Sequence, residues 1–202
     1  ETNKNMNITG IEFNETIFES IKSLETEKIK LYNQDYLDYE SSIRYDLIIG
    51  NPPYFVMSKK DVDPCYHQYF DGRPNIFIMF IIKSLHSLHA NGILSFVLPK
   101  NFLNCLYYDK TRNYINEHFQ ILHIVACSDD YIETQQGTII IILQKSDNKP
   151  INNRAYCLDN DPYTIFGLPE HITTLTSLYK NSTTLNDLGF SVSVGNVVWI
   201  QC

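Results

Sequence analysis

The feature that most constrains the fold is an apolar run that stops at a stiff corner. The run YDLIIG (Tyr45–Gly50) has the length and composition of a buried strand, and Asn51-Pro52-Pro53-Tyr54 follows it directly. Each proline fixes its backbone φ near about −65° and removes an N–H donor, and the residue before a proline is held extended. The chain therefore leaves a strand through a rigid loop whose carbonyl oxygens are not used in a local turn.

Apolar runs bounded by turns alternate with helical patterns over most of the chain. The run Tyr45–Gly50 is apolar throughout, which is typical of a parallel strand covered on both faces. The alternation predicts an α/β protein with a doubly wound, mostly parallel, Rossmann-like sheet. Further strands are predicted over 7–13, 28–33, 93–99, 120–127 and 137–145, and helices over 15–24, 75–89 (ended by Asn91-Gly92) and 108–118.

The alternating pattern breaks at about Ser146, where the polar stretch SDNKPINN predicts a linker. We therefore expect one domain over 1–146, and over 147–202 a linker and the beginning of a second unit. The chain opens on Glu1 without a methionine and ends within an apolar pattern. Both ends are expected to continue in a longer protein.

Composition and charge exclude several classes of protein. The formal net charge of −7 argues against this segment wrapping nucleic acid by itself, because phosphate binding usually requires a basic face. The five cysteines are widely spaced and include no Cys-x-x-Cys pair, which favours reduced thiols in an intracellular protein over a disulfide framework or a zinc site. No apolar run approaches the length of about 18 residues that spans a membrane, and no signal peptide is recognisable.

The corner can present two hydrogen-bond acceptors to a single point. In open α/β sheets, ligands bind at the carboxyl ends of the strands, where this corner lies. The side-chain oxygen of Asn51 and the carbonyl oxygen of Pro52 can both accept from one planar NH₂ group. Two fixed acceptors support the positive charge that grows on such a nitrogen during alkylation. Tyr54 adds a flat face on which a base can stack, for about 1–3 kcal/mol.

These residues resemble the Asn/Asp-Pro-Pro-Tyr/Phe/Trp signature of the S-adenosylmethionine (AdoMet)-dependent amino-methyltransferases. More narrowly, the chain from about Ile8 to Lys145 is similar to the gamma-class N6-adenine DNA methyltransferases of restriction–modification systems. The resemblance implies catalytic roles for Asn51, Pro52, Pro53 and Tyr54, AdoMet as methyl donor, and no metal. It also implies double-stranded DNA with a flipped adenine as partner. A cognate restriction endonuclease would be a further partner, in the cytoplasm of a bacterium or of a cell infected by a large DNA virus.

The same resemblance implies residues that bind the cofactor and the target base. Glu12, in GIEFN, matches a strand-end acid that binds the ribose hydroxyls of AdoMet. Asp35 and Tyr36, in NQDYL, match residues that accept from the cofactor's adenine amine and lie against its ring. Phe80, in NIFIMF, would pack against the same adenine. Tyr131 matches an aromatic residue that would hold the target base on the side opposite Tyr54.

Two parts of the family's pattern are not matched. A glycine-rich AdoMet loop and a central first strand would precede Glu12, and most of a target-recognition domain would follow the last residues. In the family's sheet the first strand lies between those that carry Glu12 and Asn51. We therefore expect either a gap or an unnatural pairing at that place, and little or no activity from this segment alone.

Two alternative functions stay open. Protein-glutamine N5-methyltransferases carry the same corner, because a glutamine amide is also a planar NH₂ group. Tyr131 ahead of the Gly137-Thr138 strand, and a chain that continues past the sheet, favour DNA adenine; adenine in structured RNA is a lesser variant. The other alternative is a non-catalytic, methyltransferase-like binding subunit. The intact corner argues against it, and the unmatched glycine-rich loop argues for it.

Overall fold

The strands lie in two separate sheets and one hairpin. The protein is described by a computed structural model over residues 6–127, 137–146, 150–160, 163–181, 183–185 and 187–191. One sheet has the order β1-β2, the second has the order β3-β4-β6-β5, and the hairpin joins β7 and β8. The strands are β1 (Ile8–Glu12), β2 (Ile29–Asn33), β3 (Tyr45–Gly50), β4 (Leu88–Pro99), β5 (Phe119–Ala126), β6 (Thr138–Lys145), β7 (Cys157–Asn160) and β8 (Tyr163–Phe166).

Three of the four strands in the larger sheet run in the same direction. β3 pairs with β4 in parallel, and β6 is antiparallel to both β4 and β5. β1 and β2 are also parallel. The predicted α/β fold with a mostly parallel sheet is thus confirmed. Within the described residues β1 and β3 do not pair, so the expected gap lies between the strand that ends at Glu12 and the strand that leads to Asn51.

The helices in the described ranges are α1 (Glu15–Ile21), α2 (Ile76–Ser87), α3 (Asp109–His118) and α4 (Pro169–Asn181). α2 forms the centre of the core, because it is apolar on almost every side and most of its residues are buried. Asn75 precedes it with an extended backbone and caps it, since its side chain accepts from the N–H of Phe77. None of these helices is long and apolar enough to cross a membrane.

The predicted end of the second helix is wrong. α2 ends at Ser87 rather than His89, and β4 begins at Leu88 rather than at Ile93. Asn91-Gly92 therefore lies inside a strand, where Asn91 has a positive φ of 62° and the pairing with β3 shifts register. A Cβ on Gly92 would come within 2.8 Å of the Tyr45 carbonyl oxygen, so only glycine fits this close backbone approach.

The prediction that β3 is covered on both faces is also wrong. Leu47 is 49% exposed and Ile49 is 72% exposed, and both lie on the same face of the strand. No described element packs over that face, and β3 pairs only with β4. Strand β3 therefore carries apolar side chains on a face that the described residues leave exposed.

Residues after the predicted domain boundary at 147 pack against the same core and strands as the residues before it. Phe166 in β8 and Cys157 in β7 belong to the same buried cluster as α2 and β4. The buried Asn153 accepts from the backbone N–H of Ile121 at 2.7 Å and donates to the carbonyl oxygen of Phe119 at 2.9 Å. The division of the chain into 1–146 and 147–202 stays a prediction, but these contacts join its two sides.

The strongest link between α3 and the hairpin is the buried guanidinium of Arg112, which is 1% exposed. Its Nε donates to the Thr164 carbonyl oxygen at 2.6 Å, and its other nitrogens donate to the carbonyl oxygens of Phe102 and Cys105. Asp109 lies 3.1 Å from the guanidinium and also accepts from the N–H of Thr164 at 2.9 Å. Burial lowers the pKa of Arg112, and Asp109 opposes that shift.

Replacing Arg112 with alanine should lower the free energy of unfolding by about 3–5 kcal/mol, because Asp109 and the carbonyl oxygens would lose their partner while buried. Urea unfolding followed by circular dichroism measures this. The exposed Arg154 offers a matched control, and Arg154→Ala should change stability by less than about 0.5 kcal/mol. Similar losses for both variants would show that Arg112 does not hold the hairpin.

Candidate active site

The proline corner lies at the carboxyl end of β3, as expected. Pro52 is buried, Tyr54 is half-buried, and Asn51 and Pro53 are exposed. The buried proline anchors the loop, while the exposed asparagine can meet a ligand from solvent. The corner therefore places a polar side chain at the surface, on a loop whose backbone is stiffened by two prolines.

The segment after the corner is hydrogen-bonded to the start of α2. The Met57 N–H donates to the Pro74 carbonyl oxygen at 2.8 Å, and the Ile76 N–H donates to the Phe55 carbonyl oxygen at 3.0 Å. The ring of Tyr54 meets the buried ring of Phe77 edge-on, with centroids 6.2 Å apart. The corner is thus held between the end of a strand and the first turn of the central helix.

The hydroxyl of Tyr54 lies between two oxygen atoms. It is 2.6 Å from Oδ1 of Asn51 and 2.8 Å from the carbonyl oxygen of Val97 in β4. A phenol carries a single proton, so it can donate fully to only one of them at a time. The Asn51 side chain, which the sequence predicts to accept from a substrate amine, is therefore in direct contact with Tyr54.

Glu12 and Asp35 lie just at or after the carboxyl ends of the paired strands β1 and β2. Asn33 ties these ends together, because its side-chain amide donates to the carbonyl oxygens of Glu12 at 2.9 Å and of Phe13 at 3.2 Å. Each carboxylate accepts from an N–H two residues further on, Glu12 from Asn14 at 2.7 Å and Asp35 from Leu37 at 2.8 Å. Among the described residues, the second oxygen of each carboxylate has no hydrogen-bond partner.

Tyr36 and Phe80 come together, with ring centroids 5.0 Å apart and planes inclined by 37°. The Tyr36 hydroxyl forms a 2.8 Å hydrogen bond with the buried Ser84, and burial raises the pKa of that phenol. Lys83 donates to the Leu37 carbonyl oxygen at 2.7 Å and lies 5.6 Å from the Tyr36 ring. Burial lowers the pKa of Lys83. The turn that follows β2 is therefore fastened to α2 by two hydrogen bonds and a ring contact.

This set of groups fits the adenosine part of a nucleoside cofactor. Carboxylate oxygens accept from ribose hydroxyls and from an exocyclic amine, and the two rings offer an apolar surface to a base. Glu12 and Asp35 each have one oxygen without a hydrogen-bond partner among the described residues, and the rings of Tyr36 and Phe80 are in contact. The cofactor roles of these four residues nevertheless stay predictions.

Tyr131, the predicted second wall of the base site, lies outside the described residues. Sequence reasoning missed three neighbours of the site, namely Lys83, Ser84 and Val97. Lys83 and Ser84 could have been predicted, because they follow Phe80 by three and four residues and so share its helix face. The contact of Val97 with Tyr54 could not have been predicted from the sequence, since it joins residues 43 positions apart.

The described cysteines are free thiols: Cys157 is buried, Cys105 and Cys127 are partly buried, and Cys65 is exposed. Burial raises the pKa of Cys157 to about 12, so this thiol stays protonated at neutral pH. The part of the chain that the structure describes contains no group of three or more His, Cys, Asp or Glu residues that could hold a metal ion.

Solved structures share the fold of this chain. The fold matches that of a protein from Listeria monocytogenes described as a class I AdoMet-dependent methyltransferase, with a TM-score of 0.60 and 16% identity over 87% of this chain and 55% of that one. It also matches the methyltransferase subunit of a type I restriction-modification system from Streptococcus thermophilus, with a TM-score of 0.58 and 20% identity over 86% of this chain and 42% of that one. The fold is that of the class I AdoMet-dependent methyltransferases.

Sequence comparison shows the family to which the chain belongs. Residues 1–132 match the Eco57I restriction-modification methylases, and the chain belongs to that family. The type II methyltransferase M.AccI of Acinetobacter calcoaceticus is 30% identical over 156 residues, which are 72% of this chain and 29% of that protein. M.CvrRI, a type II methyltransferase of Paramecium bursaria Chlorella virus XZ-6E, is 26% identical over 96% of this chain and 51% of its own. The chain thus spans about half or less of these relatives.

The hydrogen bond between Tyr36 and Ser84 yields a stability prediction. Tyr36→Phe keeps the ring contact with Phe80 but leaves the buried Ser84 without this partner, so the free energy of unfolding should fall by about 1–2 kcal/mol. Denaturant unfolding measures the loss. Tyr32→Phe, on the preceding strand where Tyr32 is 41% exposed, is the control and should be nearly neutral. Equal effects would mean that the Tyr36 hydroxyl does not fasten the turn.

Proposed function

We propose that the protein transfers a methyl group from AdoMet to the N6 amine of adenine in duplex DNA. The observation that carries this proposal is the Asn51-Pro52-Pro53-Tyr54 corner, which stands at the carboxyl end of β3 and is fastened to α2. Family membership and relatives named as type II methyltransferases support a DNA substrate.

The reaction needs a planar amine to become a nucleophile. AdoMet, when bound, supplies an electrophilic methyl group on a sulfonium. Oδ1 of Asn51 and the carbonyl oxygen of Pro52 accept the two protons of the amine, which favours a more tetrahedral nitrogen and stabilises its growing positive charge. Because the corner is already stiff, these acceptors need little rearrangement when the substrate arrives. The ring of Tyr54 lies against one face of the base.

The remaining predicted residues have binding roles in this proposal. Glu12 accepts from the ribose hydroxyls of the cofactor and Asp35 from its adenine amine, while Tyr36 and Phe80 contact the adenine ring. Asn33 and Ser84 hold these groups in place through the hydrogen bonds described above. The cofactor and the target amine would then meet above the carboxyl ends of β1, β2 and β3.

The target adenine must leave the duplex to reach the corner, because its amine is otherwise paired within the stack. We propose that Tyr131 holds the flipped base on the face opposite Tyr54. The net charge of −7 implies that most phosphate contacts come from elsewhere in the protein. A target-recognition unit that begins within 147–202 would supply them. The name of one relative, RM.Eco57I of Escherichia coli, joins a restriction enzyme and a methyltransferase, and a cognate endonuclease is proposed here as well.

A transfer assay tests the proposal. The full-length protein that contains this chain is incubated with AdoMet carrying a labelled methyl group and unmethylated duplex DNA, and the DNA is digested to nucleosides. Label in N6-methyladenine is the expected result. Label in a release-factor peptide but not in DNA would assign the corner to a glutamine amide. AdoMet binding without transfer to DNA, RNA or the peptide, or no AdoMet binding, would favour a non-catalytic subunit.

Asn51→Ala removes one of the two amine acceptors. We expect kcat to fall by about 10²–10³-fold, the usual cost of losing one oxyanion-type hydrogen bond, with AdoMet affinity nearly unchanged. Single-turnover transfer and isothermal titration measure the two quantities. An Asn51→Ala variant that keeps its rate within tenfold of the parent would overturn the proposed role of Asn51.

Tyr131→Ala should weaken the grip on the flipped base, for a cost of about 1–3 kcal/mol in binding or transfer. A duplex with a mismatch opposite the target adenine should restore part of the lost rate, because flipping then costs less. The comparison uses matched and mismatched duplexes with the parent and the variant. A loss of the same size on both duplexes would indicate that Tyr131 has a packing role.

A further inference from the structure

The hydroxyl of Tyr54 has one proton but lies close to two acceptor oxygens. The Tyr54 oxygen lies 2.6 Å from Oδ1 of Asn51 and 2.8 Å from the carbonyl oxygen of Val97, both within hydrogen-bond range. One phenolic proton cannot be donated fully to two oxygens. Whichever oxygen lacks the proton faces the lone pairs of Tyr54 at a distance where the contact is repulsive.

Rotating the Asn51 side-chain amide by about 180°, which exchanges the positions of Oδ1 and Nδ2, removes the repulsion between the two oxygens. Side-chain oxygen and nitrogen of asparagine are nearly the same size, and their assignment follows from the hydrogen bonds that they make. With the nitrogen toward Tyr54, the amide donates to the phenol oxygen and the phenol donates to Val97. An N–H···O bond is usually about 2.9 Å long, so the 2.6 Å contact must lengthen by a few tenths of an ångström. The exposed Asn51 side chain has room for that shift.

Val97 is well placed to fix the direction of this chain of hydrogen bonds. The last pair in the parallel register of β3 and β4 joins Gly50 to Phe96, so Val97 lies one residue beyond the end of β3. Its backbone is held by pairing with β6, where Val97 faces Ile140. The Tyr54 hydroxyl therefore meets a carbonyl oxygen on a rigid strand, at the point where β3 no longer pairs.

We propose that the Tyr54 hydroxyl is a positioning group that sets the orientation of the Asn51 amide. The chain runs from Asn51 Nδ2–H to Tyr54 Oη–H to the Val97 carbonyl oxygen, and it leaves Asn51 Oδ1 aimed away from Tyr54 as an acceptor. This inference rests on the proposed function, in which that oxygen accepts from the target amine. An amide in the opposite orientation would point its NH₂ at another NH₂, and two donors repel.

This role differs from stacking, which needs only the ring of Tyr54. Tyr54→Phe keeps the ring and removes the hydroxyl, so a stacking role alone leaves the rate unchanged. Asn51→Asp supplies the contrast, because a carboxylate presents an oxygen in either orientation and has no amide to orient. An aspartate at this position also agrees with the signature that the corner resembles.

The test is a double-mutant cycle in the full-length protein, with single-turnover methyl transfer to duplex DNA as the readout. Tyr54→Phe should slow transfer by about 10-fold or more in the Asn51 protein but by less than about threefold in the Asn51→Asp background, because coupled residues show non-additive effects. AdoMet and DNA affinities should change less than twofold. Tyr179→Phe, on α4 where Tyr179 is 45% exposed, is the hydroxyl-removal control and should leave the rate unchanged. Equal losses in both backgrounds, or no loss, would overturn the proposal.

A second measurement does not depend on methyl transfer. In protein labelled with ¹⁵N-asparagine, the Asn51 side-chain protons should show a nuclear Overhauser effect to the Tyr54 ring and slow exchange with water, and Tyr54→Phe should speed that exchange. Fast exchange and no such effect in the parent protein would mean that Oδ1 faces Tyr54, and the proposal fails. If the parent does not methylate DNA, the proposed function fails, while this spectrum still decides the amide orientation.

Discussion

The structure depends on the way α2 holds both ends of the candidate site. Its first turn is hydrogen-bonded to the segment after the proline corner, through Ile76 and the preceding Pro74. Two turns later its polar face holds the loop after β2, through Ser84 and Lys83. Between them lie side chains that are almost completely buried, such as Phe77 and Ile81. Because the helix cannot move without opening the core, the corner and the loop keep a fixed separation.

This arrangement explains how the smaller sheet stays in place without pairing to the larger one. Within the described residues β1 and β3 share no strand hydrogen bonds, so side chains make the connection. Tyr36 and Lys83 link the loop to α2, and the hydroxyls of Tyr39 and Tyr45 form a 3.3 Å hydrogen bond near the start of β3. Desolvation is the largest cause that raises the pKa of Tyr39, to about 12, and Tyr45 adds to the shift, so the Tyr39 hydroxyl stays protonated at neutral pH.

Much of the fold follows from local signals in the sequence, and the errors come from contacts between residues far apart in the sequence. Tyr45–Gly50 is a strand with the predicted bounds because an apolar run stops at prolines. Asn91-Gly92 usually ends an element, yet here it lies within β4, where the close approach of the Tyr45 carbonyl decides the structure. Arg112 and its carbonyl partners could not be predicted, because the contact with Thr164 joins residues 52 positions apart. The contact between Tyr54 and Val97 could not be predicted for the same reason, although the proline corner and the strand that contain these residues were both predicted.

The two sides of the candidate site differ in how firmly they are built. At the corner, two prolines, the bridge to α2 and the contact of Tyr54 with Val97 fix the acceptors before a substrate arrives. On the other side, Glu12 and Asp35 are held by hydrogen bonds within their own short turns, and Glu12 ends a strand in which no residue is buried. Electrostatic stabilisation of a developing charge requires fixed dipoles, whereas a bound nucleoside can itself order the carboxylate side chains that bind it. The rigid side is therefore the one where the proposed reaction places its growing positive charge.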